Sequence, residues 1–256
     1  MKSEYIRFFI AVLIGTTVLA FTGGCYGTSS KLENKLPSQQ ENVTLTVGKK
    51  DSISEEEKRY GYRNGDAFLQ QYRNNALVKQ IILVEQAKEN VNRGTLFILE
   101  KNNKNEWQET LQCNAYLGKN GIDKTREGDK RTPSGDYGFL MAFGAKEDPG
   151  SVIPYTKLTE SMYLCGDKEY YNQFIDTSKI RHTCSNNSEH LIRYIPQYNY
   201  ALILDYNKEN VYGKGSAIFL HCFGSYPYTL GCISIAEENM IKILKTVDKN
   251  TRICIY

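Results

Sequence analysis

A histidine and a cysteine near the C-terminal end of the chain have residue types and a spacing that suit nucleophilic catalysis. His221 lies in an apolar run, and Cys232 follows Gly231, eleven residues further on. An imidazole that accepts a thiol proton generates a thiolate nucleophile. A return of the chain through Gly224 to Pro227 would bring the two side chains together. We therefore predict His221 as general base and Cys232 as nucleophile.

The residues after Cys232 predict a helix. Ser234 and Glu237 have the spacing of a capping box. A cysteine just before a helix N-terminus has a lowered thiol pKa, because unpaired amides and the helix dipole favour the thiolate. Helical spacing of apolar residues continues the pattern through Met240, Ile241 and Leu244.

Gly231 allows a tight turn beside the proposed nucleophile. The backbone amides of Cys232 and Ile233 are therefore predicted to face a developing oxyanion. Cys222 is a rival nucleophile, but neighbours in a strand point to opposite faces, so Cys222 should face the core if His221 faces the site. Taken singly, His221 could be a packed core histidine and Cys232 a structural thiol.

The elements that must position this pair are mainly β-strands. Short runs of β-forming residues alternate with polar Asn, Lys and Gly turns, and this pattern favours a sandwich or barrel. The predicted strands are Lys79 to Ala87, Gly94 to Glu100, Trp107 to Leu117, Tyr200 to Tyr206, Ser216 to Phe223 and Thr251 to Tyr256.

The N-terminal part of the chain indicates export. Residues 1–24 combine Lys2 and Arg7 with a short apolar run, and small residues then precede Cys25, as in a lipoprotein-type signal peptide. Lipid on Cys25 would tie the protein to a membrane; an uncleaved anchor and ordinary secretion are the alternatives. Residues 25–76 are predicted to be a polar tether, with a polar helix from Ser54 to Tyr72 as an option. Residues 77–256 form the predicted catalytic domain.

Charge and cysteine content narrow the function further. Lys and Arg total 32 against 29 acidic residues, a balance too even to suggest a nucleic-acid partner. Seven cysteines in an exported chain raise the question of disulfides, and a bridge between Cys165 and Cys184 is the preferred one. Buried, unreactive thiols are the alternative.

Two segments resemble the L,D-transpeptidase (YkuD-type) catalytic domain family. One runs from His221 to Thr229-Leu230-Gly231-Cys232-Ile233, and the other is the turn from Glu127 to Tyr137, which contains Thr-Pro-Ser-Gly. The resemblance covers roughly residues 79–256. It implies a mainly β (α+β) sandwich with a helix after the catalytic cysteine.

The resemblance also implies an activity. Cys232 would attack a peptidoglycan stem peptide to form an acyl-enzyme, with His221 as base and acid and the amides of Gly231 and Cys232 at the oxyanion. The acyl group would then pass to an amine, without a metal or an organic cofactor. Such an enzyme would act in cell-wall biogenesis outside the cytoplasm. Further candidates for the substrate groove are Thr229, Ser234, Tyr206 and His190.

The chain also departs from the family pattern, because Ser234 stands where the family commonly has an arginine and the spacing from His221 to Cys232 is short. A missing arginine removes a bidentate contact to a carboxylate. A peptidoglycan hydrolase that uses water as acceptor, and a wall-binding lipoprotein without turnover, are therefore alternatives. A papain-like protease ranks last, because such enzymes place the cysteine before the histidine.

Overall fold

The structure is a computed structural model that describes residues 65–185 and 187–256. The predicted signal peptide, Cys25 and residues 25–64 of the predicted tether lie outside this range. Within it, no helix is both long and apolar enough to cross a membrane.

Strands dominate the described residues and confirm the mainly β fold class. Thirteen strands and two α-helices, with two short 3₁₀ turns at Leu191–Arg193 and Gln197–Asn199, make up the regular structure of this part of the chain. Their bounds in chain order are α1 Asp66–Tyr72, β1 Gln80–Gln86, β2 Arg93–Lys101, β3 Trp107–Tyr116, β4 Gly135–Tyr137, β5 Phe139–Gly144, β6 Tyr155–Lys157, β7 Met162–Cys165, β8 Gln173–Asp176, β9 Glu189–His190, β10 Ala201–Leu204, β11 Phe219–Cys222, β12 Ile233–Ile235, α2 Glu237–Leu244 and β13 Arg252–Ile255.

Ten strands form one curled sheet in the order β4-β13-β1-β2-β3-β12-β11-β10-β5-β6, and β8-β7-β9 form a small second sheet. Most pairs are antiparallel, but β11 pairs with β12 in parallel, and so do β1 with β13 and β5 with β6. The β11–β12 pair therefore needs a crossover connection rather than a tight hairpin. Residues 223–232 form that connection.

The six predicted strands all occur, with ends shifted by at most three residues. The predicted helix also occurs, but its start differs from the prediction. Ser234 lies inside β12, and Ala236 is the residue that precedes the first turn, without a side-chain hydrogen bond. The capping-box prediction was wrong because the segment after Cys232 first adds a strand to the sheet, which places Glu237 in the first turn of α2.

Alternation along the strands divides the apolar residues among three cores. Ile82 and Val84 of β1 belong to the largest core, which β-strands and α2 enclose, whereas Ile81 and Leu83 face a smaller core under α1. All four side chains are fully buried. A strand with both faces covered reads as a continuous apolar run, and the segment IILV fits that rule.

The third core lies on the other face of β10 and β11. It contains Phe143, Ala201, Phe219 and Tyr198, and it also includes Cys232. Phe219 meets Phe143 and Tyr198 edge to face, with ring centroids 5.2 Å and 5.5 Å apart. The predicted nucleophile is thus packed against an aromatic cluster.

Leu202 in the middle of β10 tests the main core. It is fully buried, so Leu202→Ala removes three buried carbons and leaves a cavity. The free energy of unfolding in urea should fall by about 2–5 kcal/mol. Leu140 on the neighbouring strand β5 is 55% exposed, and Leu140→Ala should change the free energy by less than about 0.5 kcal/mol. Equal losses in the two variants would contradict this account of the core.

Candidate active site

His221 and Cys232 lie on the same face of two neighbouring strands. In the parallel pair β11–β12, His221 is the partner of Ser234, and Cys232 is two residues before Ser234. Side chains two positions apart in a strand share a face. The strand spacing and the rise of two residues place the two Cα atoms roughly 8 Å apart. The sheet therefore brings the predicted base and nucleophile together as diagonal neighbours.

The aromatic ring of Tyr198 adjoins both members of the pair. It lies edge to face with the His221 imidazole at 5.5 Å between centroids and belongs to the same packed cluster as Cys232. Within residues 65–185 and 187–256 no hydrogen bond joins His221 to Cys232. The thiol instead donates to the carbonyl of Ala217 at 3.0 Å and accepts from the amide of Phe219 at 3.4 Å.

One nitrogen of the His221 ring is fixed by the backbone. Nδ1 lies 2.7 Å from the carbonyl oxygen of Cys222. Because a carbonyl only accepts, Nδ1 carries the hydrogen, and Nε2 is left as the basic nitrogen. Burial lowers the pKa of His221 to about 4, although the bond to Cys222 opposes the shift. The imidazole is therefore neutral at physiological pH and able to accept a proton.

The environment of Cys232 favours the thiol and not the thiolate. Burial raises its pKa to about 12, and the nearby charge of Glu189 adds to the effect. The predicted lowering by a helix N-terminus was wrong, because Cys232 precedes a strand and not the first turn of α2. At neutral pH the pair is a protonated thiol and a neutral imidazole.

Two threonine hydroxyls hold the carbonyl oxygen of Cys232. Thr229 Oγ1 donates at 2.6 Å and Thr132 Oγ1 at 3.1 Å. Thr132 also accepts the amide hydrogen of Gly118 at 2.8 Å. This contact explains how the Thr-Pro-Ser-Gly turn, far away in sequence, belongs to the site. Thr132 itself was not predicted as a site residue.

The amide of Gly231 is already used. It donates to Thr229 Oγ1 at 3.1 Å, so it does not point at an oxyanion. The backbone at Gly231 has φ +151, and a Cβ there would lie 3.1 Å from the Arg131 carbonyl oxygen, which explains why a glycine is needed. The amides of Cys232 and Ile233 remain the predicted oxyanion donors.

Cys232 opens into a cavity of about 530 Å³. Its wall contains groups of both charge signs, namely Lys124, Lys130, Glu127 and Glu189. The remaining lining residues are Gly128, Leu164, Gly166, Tyr171, Asn187, Tyr212, Gly213, Ser216, Ala217, Ile218, Leu230 and Gly231. This volume lies in the range of small-molecule sites.

A buried ion pair forms the cationic side of the cavity. Lys124 Nζ lies 2.9 Å from Asp129 Oδ1, and both side chains are over nine-tenths buried. Burial alone would raise the pKa of Asp129, but bonds from Lys124 and from three backbone amides hold it at about 2. The charge of Lys124 favours the thiolate of Cys232. Neither residue was singled out from the sequence.

A carboxyl group forms the anionic side. Glu189 accepts a hydrogen bond from the Tyr198 hydroxyl at 2.5 Å and lines the cavity with Cys232. Burial raises the pKa of Glu189 to about 7, against the effect of that bond. A chain of groups thus runs from Glu189 through Tyr198 to the ring of His221. Glu189 sits in a two-residue strand with no sequence signal, so it was missed.

His221 and the predicted groove residues lie outside the cavity lining. Ser234 is buried in β12, and Thr229 is buried against the Cys232 carbonyl. Tyr206 is packed in the main core, where its hydroxyl donates to the carbonyl of Lys214. His190 stacks on Tyr163 at 4.4 Å, and its Nε2 lies 2.7 Å from the Glu160 carbonyl. In the free protein these four side chains therefore make contacts within the fold and do not line the cavity.

Three other cysteines were discussed from the sequence, and the structure describes all three. Cys222 packs in the main core on the face opposite to His221, as strand alternation predicted. Cys165 and Cys184 are both free thiols, so the bridge expected from the sequence is not formed. Their sulfurs lie within 4.8 Å of each other, which is farther than the bond of about 2.0 Å in a disulfide.

Comparison with known proteins gives only distant similarities. No family model and no curated protein matches the chain. It is similar in structure to the helical cell shape determining protein Pgp2 from Campylobacter jejuni, with 16% identity and a TM-score of 0.38 over 74% of this chain and 54% of that one. It is also similar to Mycobacterium tuberculosis L,D-transpeptidase 1, with 12% identity and a TM-score of 0.31 over 69% of this chain and 62% of that one. The chain thus spans less than two thirds of either solved structure.

The threonine contacts to the Cys232 carbonyl give a first prediction for the site. Thr229→Val keeps the side-chain shape but removes the hydroxyl that serves Cys232 and Gly231. The free energy of unfolding should fall by about 1–3 kcal/mol, because a buried amide loses its acceptor. Thr110→Val on an exposed strand position is the control and should be close to neutral. If Thr229→Val did not change the free energy of unfolding, the Thr229 hydroxyl would not stabilise the turn at Cys232.

The opposite pKa shifts of His221 and Glu189 give a second prediction. The unfolded chain binds a proton on His221 below about pH 6.5, whereas the folded chain does so only below about pH 4. His221 therefore lowers the free energy of unfolding by about 3 kcal/mol as the pH falls through that window. Glu189, with its raised pKa, lowers it as the pH rises from about 4.5 to about 7.

Urea unfolding at pH 4.5 and pH 7 separates these two effects. His221→Gln should lose stability relative to wild type as the pH rises, because only the Glu189 effect remains. Glu189→Gln should gain stability relative to wild type over the same interval. Parallel pH profiles in the three proteins would show that neither side chain has the environment described above.

Proposed function

We propose that this protein is a cysteine acyltransferase of the L,D-transpeptidase type that acts on peptidoglycan stem peptides. The observation that carries the proposal is the position of Cys232, whose thiol opens into the cavity from the sheet face that it shares with a neutral, buried His221. The resemblance of the His221 to Ile233 segment to that family agrees with this reading.

The proposed reaction begins with transfer of the thiol proton from Cys232 Sγ to His221 Nε2. Sγ then attacks the carbonyl carbon between the diamino acid and D-Ala of the stem peptide, and the Sγ–C bond forms. His221 returns the proton to the departing D-Ala amine as the C–N bond breaks, which leaves a thioester. An acceptor amine attacks the thioester, and the cysteine leaves and regains a proton.

Rotation of the thiol is the movement that this reaction requires. Sγ donates to the Ala217 carbonyl in the free protein, and His221 lies diagonally across the strand pair. A rotation about the Cα–Cβ bond that breaks the bond to Ala217 would turn the sulfur toward the imidazole. The developing oxyanion would then be met by backbone amides at Cys232 and Ile233.

The cavity charges support a peptide ligand that carries both amine and carboxylate groups. Lys124 and Lys130 provide positive charge, while Glu127 and Glu189 provide carboxyl groups. A stem peptide ending in D-Ala offers a carboxylate for the exposed Lys130 and a diamino side chain for the exposed Glu127. Lys124 thus supplies a cation near the nucleophile, where the buried Ser234 supplies none.

Hydrolysis of the acyl-enzyme is a second candidate outcome. It is favoured by the burial of Ser234 inside β12, because the residue at the position of the family arginine cannot contact an acceptor in the cavity. Water would then replace the amine in the second step. Attachment to a membrane through lipid on Cys25, and a place outside the cytoplasm, complete the proposal.

Purified protein incubated with disaccharide-tetrapeptide tests the proposal. Mass spectrometry should detect released D-Ala together with a cross-linked product, and a carbapenem should add its mass to the peptide containing Cys232. Cys232→Ala should abolish both results, and His221→Gln should slow D-Ala release by about 10²–10⁴-fold. A tripeptide product without cross-links would select hydrolysis.

Cys113→Ala is the matched control, because Cys113 is a partly exposed cysteine on β3 outside the cavity lining. It should keep full activity. Absence of both product and carbapenem adduct in wild-type protein would reject the proposed function and leave a wall-binding role.

A further inference from the structure

We propose a zinc site formed by Cys165, His182, Cys184 and Asp167 beside the small three-stranded sheet. Cys165 ends β7, and the other ligands come from the turn after it and from the loop before β9. The two cysteine sulfurs and a ring nitrogen of His182 lie within 4.8 Å of one another. This site is separate from the Cys232 and His221 pair and does not depend on the proposed reaction.

Two donor–donor distances, both measured from His182 Nε2, match the edges of a zinc tetrahedron. Zinc bonds of about 2.3 Å to sulfur and about 2.0–2.1 Å to nitrogen place sulfur and nitrogen ligands about 3.6 Å apart. Cys165 Sγ lies 3.4 Å from His182 Nε2. Nitrogen and oxygen ligands should be about 3.4 Å apart on the same basis. Asp167 Oδ2 lies 3.2 Å from the same nitrogen.

Surrounding groups hold these ligands in place. The backbone amide of Ser185 donates to Asp167 Oδ2 at 2.9 Å, and the Ser185 hydroxyl donates to the other carboxylate oxygen. Ser188 Oγ donates to Cys165 Sγ at 3.7 Å and accepts the amide hydrogen of Gly166 at 2.8 Å. Hydrogen bonds of this kind orient ligands and are typical of metal sites.

The convergence of an imidazole on the two thiols, with Asp167 beside that imidazole, distinguishes this cluster from a disulfide. A bridge between Cys165 and Cys184 would use the two sulfurs but would give no role to His182 or Asp167. Two thiolates with an imidazole and a carboxylate form a set that suits zinc well. The resemblance to the L,D-transpeptidase family implied no metal for the reaction, and a structural zinc ion is compatible with that.

The loop that supplies two of the ligands lacks a core of its own. From residue 177 to residue 190, none of the residues that the structure describes is fully buried. A segment with so little buried apolar surface gains stability from a covalent or metal cross-link. The zinc ion would connect this loop to the end of β7.

The cross-link would also fix one wall of the Cys232 cavity. Gly166 and Asn187, which flank the ligands in sequence, both line that cavity. The two segments touch, because a Cβ on Gly166 would lie 2.2 Å from the Asn187 carbonyl oxygen. The segments around Gly166 and Asn187 therefore carry metal ligands and also line the cavity.

Metal analysis of the purified protein tests the proposal. Protein prepared without chelator should contain about one zinc per chain, released when the thiols are blocked with a mercurial. Cobalt added in place of zinc should give the intense visible bands and thiolate charge-transfer bands of a tetrahedral site. Cys165→Ser and Cys184→Ser should lose the metal, and Cys113→Ser should retain it.

Asp167→Asn is the second variant, since it keeps the side-chain volume and is expected to fold. It should bind zinc about 10–100-fold more weakly in competition with a chelator. Zinc content no higher in wild type than in Cys165→Ser would overturn the proposal. So would a Cys165–Cys184 disulfide found by peptide mapping of protein taken from an oxidising compartment. If wild-type protein that contains zinc does not release D-Ala, the result would instead count against the proposed function and leave the zinc site unaffected.

Discussion

The parallel pairing of β11 with β12 is the contact on which the rest of the site depends. It sets His221 opposite Ser234 and places Cys232 on the same face, two residues earlier. A shift of one residue in this register would turn one member of the pair toward the main core. Three apolar partners on the opposite face, Leu220, Ile233 and Ile235, are fully buried and fix that register. The shared face of His221 and Cys232 and the packing of the main core are therefore fixed by the same strand register.

Burial of the pair has a chemical consequence that runs through the whole site. It raises the pKa of the Cys232 thiol and lowers that of the His221 imidazole, so both groups are neutral in the free protein. In the proposed reaction, proton transfer between them would depend on a bound substrate that stabilises the developing charge. Burial shifts the pKa of Glu189 upward, whereas it shifts that of His221 downward, because the neutral form of a carboxyl is the protonated one. Lys124 is held by Asp129 and contributes the charge that favours a thiolate. The uncharged state of the pair thus follows from the burial of both groups.

The cavity is made by segments that lie outside the strands carrying the pair. The turn that ends at Thr132 reaches the Cys232 carbonyl, and the same stretch of chain supplies the Lys124 and Asp129 ion pair. On the other side, Gly166 and Asn187 form a wall that packs against the Cys165 and His182 cluster. A site of this kind uses the sheet to place the reacting atoms and loops to shape the ligand space. The proposed zinc ion would give one of these loops the rigidity that its own side chains do not supply.

The sequence by itself determined the mainly β fold class and the strands that flank the pair, because their apolar periodicity is local and strong. Residue type and spacing also predicted His221 and Cys232 as a base and nucleophile pair. Strand alternation placed Cys222 in the core. The start of α2 could not be obtained in this way: Ser234 has a good capping pattern, but pairing with β3 and β11 extends the sheet through it. The protonation of Cys232, the roles of Thr132, Lys124 and Glu189, and the meeting of Cys165 with His182 and Cys184 were decided only by tertiary structure. Each depends on burial or on contacts between residues distant in the chain, and neither quantity is encoded in local spacing.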